Sequence, residues 1–203
     1  THLIVDGGAG ELWINPDTKT ITTYQQRRQA QLERQAQALK HAHAPAITSD
    51  GRQVEVVANI GSLEEARQAI AMGAEGVGLL RTEFIFLQRD TLPSEEEQYQ
   101  IYRDIADVFQ QLPLIVRTLD AGGDKEIPYL NMPPEQNPFL GRRAIRLCLA
   151  EPELFQTQLR AILQASHERN IKIMFPMISS VSELRQSLKH LEQAKATLSA
   201  QNV

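Results

Sequence analysis

The chain has 203 residues, of which 42% are hydrophobic and 23% are charged, as in ordinary globular proteins of one or two domains. A formal net charge of -4 does not indicate a nucleic-acid partner. The single cysteine, Cys148, excludes an internal disulfide and a thiolate metal cluster, and it favours a reducing, cytoplasmic environment. No run is long and apolar enough to predict membrane insertion.

The first 45 residues predict a hairpin followed by a long helix. Residues 1–17 hold two short apolar runs on either side of a Gly-Gly-Ala-Gly turn, a pattern typical of a β-hairpin. A two-stranded hairpin is not stable alone, so we expect it to be the end of another domain and the chain to be a piece of a longer protein. Residues 18–45 are rich in Gln, Arg and Ala, which predicts a solvated connecting helix.

Residues 46–203 alternate between apolar runs and amphipathic segments, which predicts an α/β fold with parallel strands. The predicted strands are residues 54–58, 76–80, 114–116 and 171–175, and capping boxes at Ser62, Ser94 and Ser180 begin three helices. A doubly wound sheet and a (β/α)8 barrel both fit this pattern. A full barrel needs about 250 residues, so in that case the chain holds its first four strand-helix units.

Polar side chains follow the predicted strands. Asn59 ends the first strand, Arg81 follows the second and Arg117 follows the third. Ligands of parallel α/β folds bind at this edge of the sheet. Arg142 and Arg143 begin a later helix, where their charges oppose the helix dipole unless an anion is bound.

Two interpretations of these arginines remain open. They could form structural ion pairs with nearby carboxylates, namely Glu83, Asp120, Asp124 and Glu126. They could instead bind a phosphate ester together with Lys125 in the flexible 121–126 loop, since a guanidinium fork matches two phosphate oxygens. The five histidines form no cluster typical of a metal site, and Cys148 lies in an apolar helix face that predicts a core position.

The ordered motifs resemble those of the phosphoenolpyruvate-protein phosphotransferases, enzyme I of the sugar phosphotransferase system. The segments that carry the resemblance are GVGLLRTEF at 76–84, VRTLD at 116–120, GGDKE at 122–126, NPFLGRR at 137–143 and IMFPM at 173–177. Pyruvate phosphate dikinase and phosphoenolpyruvate synthase have similar arginine segments, but the GGDKE run favours enzyme I. Arg142 stands where the family pattern has an aromatic residue, and Arg143 fits its Gly-x-Arg spacing.

The resemblance implies a domain organisation. Residues 1–17 would be the C-terminal remnant of a swivelling phosphohistidine domain, and residues 18–45 the connecting helix. Residues 46–203 would be a partial (β/α)8 TIM-type barrel, the N-terminal half of the phosphoenolpyruvate-binding barrel. Half a barrel leaves its first and fourth strands as sheet edges, which invite pairing with another chain, so we expect a homodimer.

The resemblance also implies an activity, which is phosphoryl transfer from phosphoenolpyruvate to a protein histidine and on to a histidine phosphocarrier protein. Arg81, Arg117 and Lys125 would hold the phosphate, and Arg143 would help to hold the substrate and the departing phosphoryl group. The nucleophilic histidine, the catalytic cysteine and the Mg²⁺ ligands would lie outside these residues, so the chain alone is expected to be inactive. The alternatives are a non-catalytic regulatory anion-binding or dimerisation module, and an enzyme like pyruvate phosphate dikinase or phosphoenolpyruvate synthase.

Overall fold

The computed structural model describes residues 1–87, 89–122, 127, 129–130, 136–137 and 139–201. The chain divides into two compact units, Thr1–Ala44 and Pro45–Val203. Within the described ranges, no helix has the length and apolar character needed to cross a bilayer. The assignment of residues 1–17 to a separate phosphohistidine domain stays a prediction.

The first unit is a hairpin and a long helix, as predicted. Strands β1 (Leu3–Asp6) and β2 (Glu11–Ile14) are antiparallel, and the Asp6 carboxylate accepts hydrogen bonds from two turn N–H groups at 3.0 Å. Helix α1 (Thr18–Lys40) begins after Asp17, whose side chain accepts a bond from the Thr20 N–H at 2.8 Å. None of its residues is buried, which confirms a solvated helix that ends somewhat before residue 45.

The second unit contains a parallel four-stranded sheet, so the predicted α/β class is confirmed. Its strands lie in chain order, which is β5 (Ala58–Ile60), β6 (Val77–Arg81), β7 (Leu114–Arg117) and β8 (Ile171–Met174). A short antiparallel ribbon precedes this sheet and consists of β3 (Ala46–Ile47) and β4 (Gln53–Val54). Strands β5 and β8 are the two edges of the parallel sheet.

The predicted first strand, residues 54–58, is wrong. Val54 pairs with Ala46 in the ribbon, and Val56 is held by Glu75. The Val56 N–H donates to the Glu75 carboxylate at 2.7 Å, and its carbonyl accepts from the Glu75 N–H at 2.8 Å. The strand of the main sheet therefore begins only at Ala58, and Asn59 lies inside it rather than at its end.

Helices surround a core of buried aromatic and aliphatic side chains. They are α2 (Leu63–Ala71), α3 (Glu83–Leu87), α4 (Glu95–Phe109), α5 (Ile145–Ala150), α6 (Pro152–Ala165) and α7 (Val181–Ala200). Helix α4 packs against α2 and α6, and α6 packs against α7. Phe155, Leu159 and Ile162 form the buried face of α6, as predicted, and Cys148 is also buried.

The predicted helix starts are confirmed with one difference. Ser94 and Ser180 begin complete capping boxes with Glu97 and Glu183. Ser62 caps α2 through the Glu65 N–H, but the Glu65 carboxylate accepts from the N–H of Gly61 instead of Ser62. The third box is therefore only half formed.

From the capping box of α4 we predict that the free energy of unfolding changes with pH in the acid range. Hydrogen bonds from Arg89 and Ser94 lower the pKa of Glu97 from its ordinary value of 4.5 to about 2. Between these two values the unfolded chain binds more protons than the folded chain, so the stability that this carboxylate contributes is present above pH 4.5 and is lost as the pH falls toward 2.

We therefore expect the thermal unfolding midpoints of the wild type and Glu97→Gln to differ near neutral pH and to converge in acid. Thermal unfolding followed by circular dichroism across this range measures the difference. If that difference does not change with pH, the carboxylate is not the source of the effect.

Candidate anion-binding site

Two of the predicted arginines end neighbouring strands. Arg81 is the last residue of β6 and Arg117 the last of β7, and the two are register partners in the parallel ladder. Register partners on parallel strands direct their side chains to the same face of the sheet. The fold thus brings these two cations together at the carboxyl edge of the sheet.

Two buried carboxylates hold Arg117. Its Nη2 lies 2.6 Å from Oε1 of Glu83, and its Nη1 lies 3.3 Å from Oδ2 of Asp120. Glu83 is 2% exposed and Asp120 is 6% exposed, so each needs cationic or hydrogen-bonding partners in place of water. These two ion pairs match the first of the two interpretations that the sequence left open, in which the arginines pair with nearby carboxylates. They also fix the orientation of Arg117.

Arg143 joins the same cluster through a shared carboxylate. Its Nε lies 3.1 Å from Oδ1 of Asp120, and its guanidinium carbon lies 4.6 Å from the ring centre of Phe139. A guanidinium group over an aromatic ring gains a cation–π contact. Asp120 therefore links Arg117 to Arg143, although the two arginines come from separate segments of the chain.

Arg81 differs from the other two because it makes no ion pair with any residue that the structure describes. Its guanidinium carbon lies 5.0 Å from the ring centre of Phe84. Its Nε is buried and has no hydrogen-bond partner there, and the same is true of the Nε of Arg117. Buried donors without partners cost free energy, so both atoms favour the arrival of an acceptor.

Glycines allow the close approaches that shape this cluster. A Cβ on Gly61 would lie 2.6 Å from the Phe84 ring. Gly122 has a φ of +109°, and a Cβ there would lie 2.6 Å from the carbonyl oxygen of Arg142 and 3.0 Å from Cα of Arg143. The segment that carries Arg143 therefore rests directly on the chain that leaves β7.

The remaining predicted cations are not brought into the cluster by the described contacts. Arg142 pairs instead with Glu151, its Nη2 lying 2.5 Å from Oε1. Helix α5 begins at Ile145, so the two arginines precede a helix rather than start one. Lys125 lies outside the residues that the structure describes, as do its neighbours Asp124 and Glu126.

Sequence reasoning missed the aromatic and glycine contributions. Phe84 and Phe139 stand three and four residues from the arginines that they contact, a short spacing that could have indicated contact. For Gly61 and Gly122 no local signal exists, because the atoms that a Cβ would meet come from distant segments.

Comparison with known proteins identifies the family. Residues 35–203 match the family model described as PEP-utilising enzyme, PEP-binding domain, where PEP is phosphoenolpyruvate. The chain belongs to the PEP-utilising enzymes. The resemblance read from the arginine motifs is thereby confirmed.

Three curated relatives show how much of a whole protein the chain represents. The phosphoenolpyruvate-protein phosphotransferases of Geobacillus stearothermophilus and Bacillus subtilis (strain 168) are 47% and 46% identical over 99% and 97% of the chain. The multiphosphoryl transfer protein of Rhodobacter capsulatus is 48% identical over 98% of it. These matches cover 35%, 34% and 24% of the relatives' lengths, so the chain spans about a third of the phosphotransferases that it matches.

Proposed function

We propose that the chain supplies part of the PEP site of a longer enzyme that transfers the phosphoryl group of PEP to a protein histidine and on to a histidine phosphocarrier protein. The observation that carries this proposal is the pair of buried Nε donors on Arg81 and Arg117, at adjacent strand ends. A phosphate ester offers the acceptors that these donors lack among the described residues, and guanidinium groups match its oxygens two at a time.

The charge of the cluster supports an anionic ligand. Among the residues that the structure describes, Arg81, Arg117 and Arg143 supply three positive charges to the cluster, and the carboxylates of Glu83 and Asp120 supply two negative charges. The excess of positive charge favours an anion in this low-dielectric setting. The carboxylates also hold Arg117 and Arg143 in place before the ligand arrives, and such preorganised charge stabilises negative charge that develops during transfer.

The roles of the other predicted groups stay proposals. Lys125 would join the phosphate ligands. In the described ranges no group of three His, Cys, Asp or Glu side chains could hold a metal ion, so the described residues do not fit Mg²⁺. The nucleophilic histidine, the catalytic cysteine and the Mg²⁺ ligands would belong to the rest of the longer enzyme. The 203 residues of this chain alone would therefore be inactive.

The order of the strands supports the barrel as the architecture of residues 46–203. A doubly wound sheet reverses its strand order at a switch point, and the order β5-β6-β7-β8 has no reversal. We therefore propose that residues 46–203 form the N-terminal half of a (β/α)8 barrel. Dimer formation through this domain is likewise a proposal, supported by the position of β5 and β8 at the two edges of the described sheet.

Replacing Arg81 with alanine tests the proposed function. In the full-length protein we expect PEP-dependent histidine phosphorylation to become slower. The loss of transition-state stabilisation should be about 3–4 kcal/mol, as when other donors to developing charge are lost. The thermal unfolding midpoint should change little, because the buried Nε of Arg81 has no hydrogen bond to lose within the described part of the chain. Radiolabelled phosphoryl transfer and calorimetry measure the two quantities.

Arg142→Ala is the matched control, since Arg142 contacts Glu151 on a partly exposed surface. Its rate should stay near that of the wild type, whereas Arg143→Ala should lower the rate strongly. An unchanged rate in Arg81→Ala would contradict the proposal and favour a non-catalytic anion-binding module.

A further inference from the structure

A fully buried amide lies behind both arginine-bearing strand ends. Gln158 on α6 is 0% exposed. Its Oε1 accepts a hydrogen bond from the N–H of Leu119 at 2.9 Å, and its Nε2 donates to Oγ1 of Thr82 at 3.2 Å and to the hydroxyl of Tyr102 at 3.1 Å. One side chain thus satisfies groups that follow β6, follow β7 and belong to α4.

The chemistry of the partners fixes the direction of every bond in this network. The Leu119 N–H can only donate, so Oε1 of Gln158 must face it. The Thr82 hydroxyl donates to the carbonyl of Arg117 at 2.8 Å, which leaves its oxygen to accept from Gln158. Burial raises the pKa of Tyr102, so its hydroxyl keeps the proton that it donates to Gln98 at 3.4 Å.

These bonds attach directly to the arginine cluster. Thr82 follows Arg81 in the chain and binds the backbone of Arg117, while Leu119 precedes the shared carboxylate of Asp120. We propose that Gln158 is a positioning residue that keeps the end of β6 level with the end of β7, so that both arginines reach the same anion. The described hydrogen bonds of Gln158 go to Leu119, Thr82 and Tyr102 and to none of the arginine side chains. The inference rests on the proposed function only for the identity of the anion.

The expected consequence is a loss of turnover rather than a simple loss of fold. A misplacement of about 1 Å can cost roughly 100-fold in rate even when the change lies away from the chemistry. Gln158→Met keeps the length of the side chain and removes all three hydrogen bonds. In the full-length protein we expect kcat for PEP-dependent phosphorylation to fall by about that factor at a temperature well below unfolding.

Gln156→Met is the matched control because Gln156 lies on the same helix. Its Nε2 donates to the carbonyl of His190 at 2.9 Å and lies 2.9 Å from Nδ1 of the same residue, so it contacts α7 and not the strand ends. We expect this variant to lose thermal stability but to keep most of its kcat. Equal losses of kcat in the two variants, or no loss in Gln158→Met, would overturn the proposal.

A second measurement does not depend on activity. The Nε–Hε signals of Arg81 and Arg117 can be followed by NMR in the full-length protein. They should shift in Gln158→Met and in Thr82→Val, and should stay in place in Gln156→Met and in Thr82→Ser, which keeps the hydroxyl. If Gln158→Met does not fold, the two Thr82 variants still test the hydrogen bond between Gln158 and Thr82.

The outcomes of this measurement separate the two proposals. Signals that do not move in Gln158→Met and Thr82→Val overturn the positioning role of Gln158, whatever the activity. Signals that move as expected in a protein whose wild type transfers no phosphoryl group from PEP support the positioning role and overturn the proposed function alone.

Discussion

Replacing Arg117 with alanine is expected to lower the free energy of unfolding by about 3–5 kcal/mol, the range found when one partner of a buried ion pair is removed. The physical reason is that Arg117 contacts Glu83 at 2.6 Å and Asp120 at 3.3 Å. Both carboxylates are buried, so water cannot replace the lost guanidinium group. Phosphoryl transfer from PEP should also fall to a very low level, because Arg117 is one of the proposed phosphate ligands.

Arg142→Ala provides the control for this experiment. Its pair with Glu151 leaves the two side chains 35% and 44% exposed, and such pairs contribute only about 0–1 kcal/mol. Urea denaturation of the three proteins measures the difference. If Arg117→Ala costs no more than Arg142→Ala, then the buried carboxylates do not depend on Arg117 and the description of the cluster is wrong.

Replacing Gly122 with alanine is expected to cost about 4 kcal/mol, as the sum of backbone strain and overpacking, each about 1–3 kcal/mol. The φ of +109° is unfavourable for any residue with a Cβ, and that Cβ would lie 2.6 Å from the Arg142 carbonyl oxygen. Because the obstacle is backbone, no rotation of a side chain relieves it. The segment that carries Arg143 must move away, which separates Arg143 from Asp120.

Gly51→Ala isolates the contribution of the contact. Gly51 has a φ of +83°, but nothing lies within 4 Å of a Cβ placed there. It therefore carries the backbone strain without the clash, and it should destabilise the chain less and leave phosphoryl transfer unchanged. Denaturant midpoints and PEP-dependent transfer rates test both variants. Equal destabilisation in the two would mean that the close approach at Gly122 is not important.

Local patterns predicted most of the fold. Capping serines and the apolar face of α6 depend on residues three or four apart, and the structure confirms them. The first strand was misplaced because its apolar residues suggested a sheet position. Glu75, 19 residues away, instead binds the backbone of Val56 before the sheet begins. No local pattern contains that interaction.

The same distinction applies to the candidate site. The arginines could be found because each follows a predicted strand or precedes a helix. Which carboxylate pairs with which arginine could not be assigned, since Glu83 lies 34 residues from Arg117. The contact of Gln158 with Thr82 was missed for the same reason, because the two residues lie 76 positions apart. Arg142 and Arg143 are adjacent in sequence, yet packing gives them different carboxylates.

The double contact of Asp120 has a consequence for the evolutionary history of this site. Because this carboxylate contacts Arg117 and Arg143 together, a change at any of the three positions alters the environment of the other two, and the effects of substitutions will not add. The three positions therefore form one epistatic unit. We therefore expect a single replacement at any of these positions to meet a stability barrier, and the trio to be inherited or lost as a set.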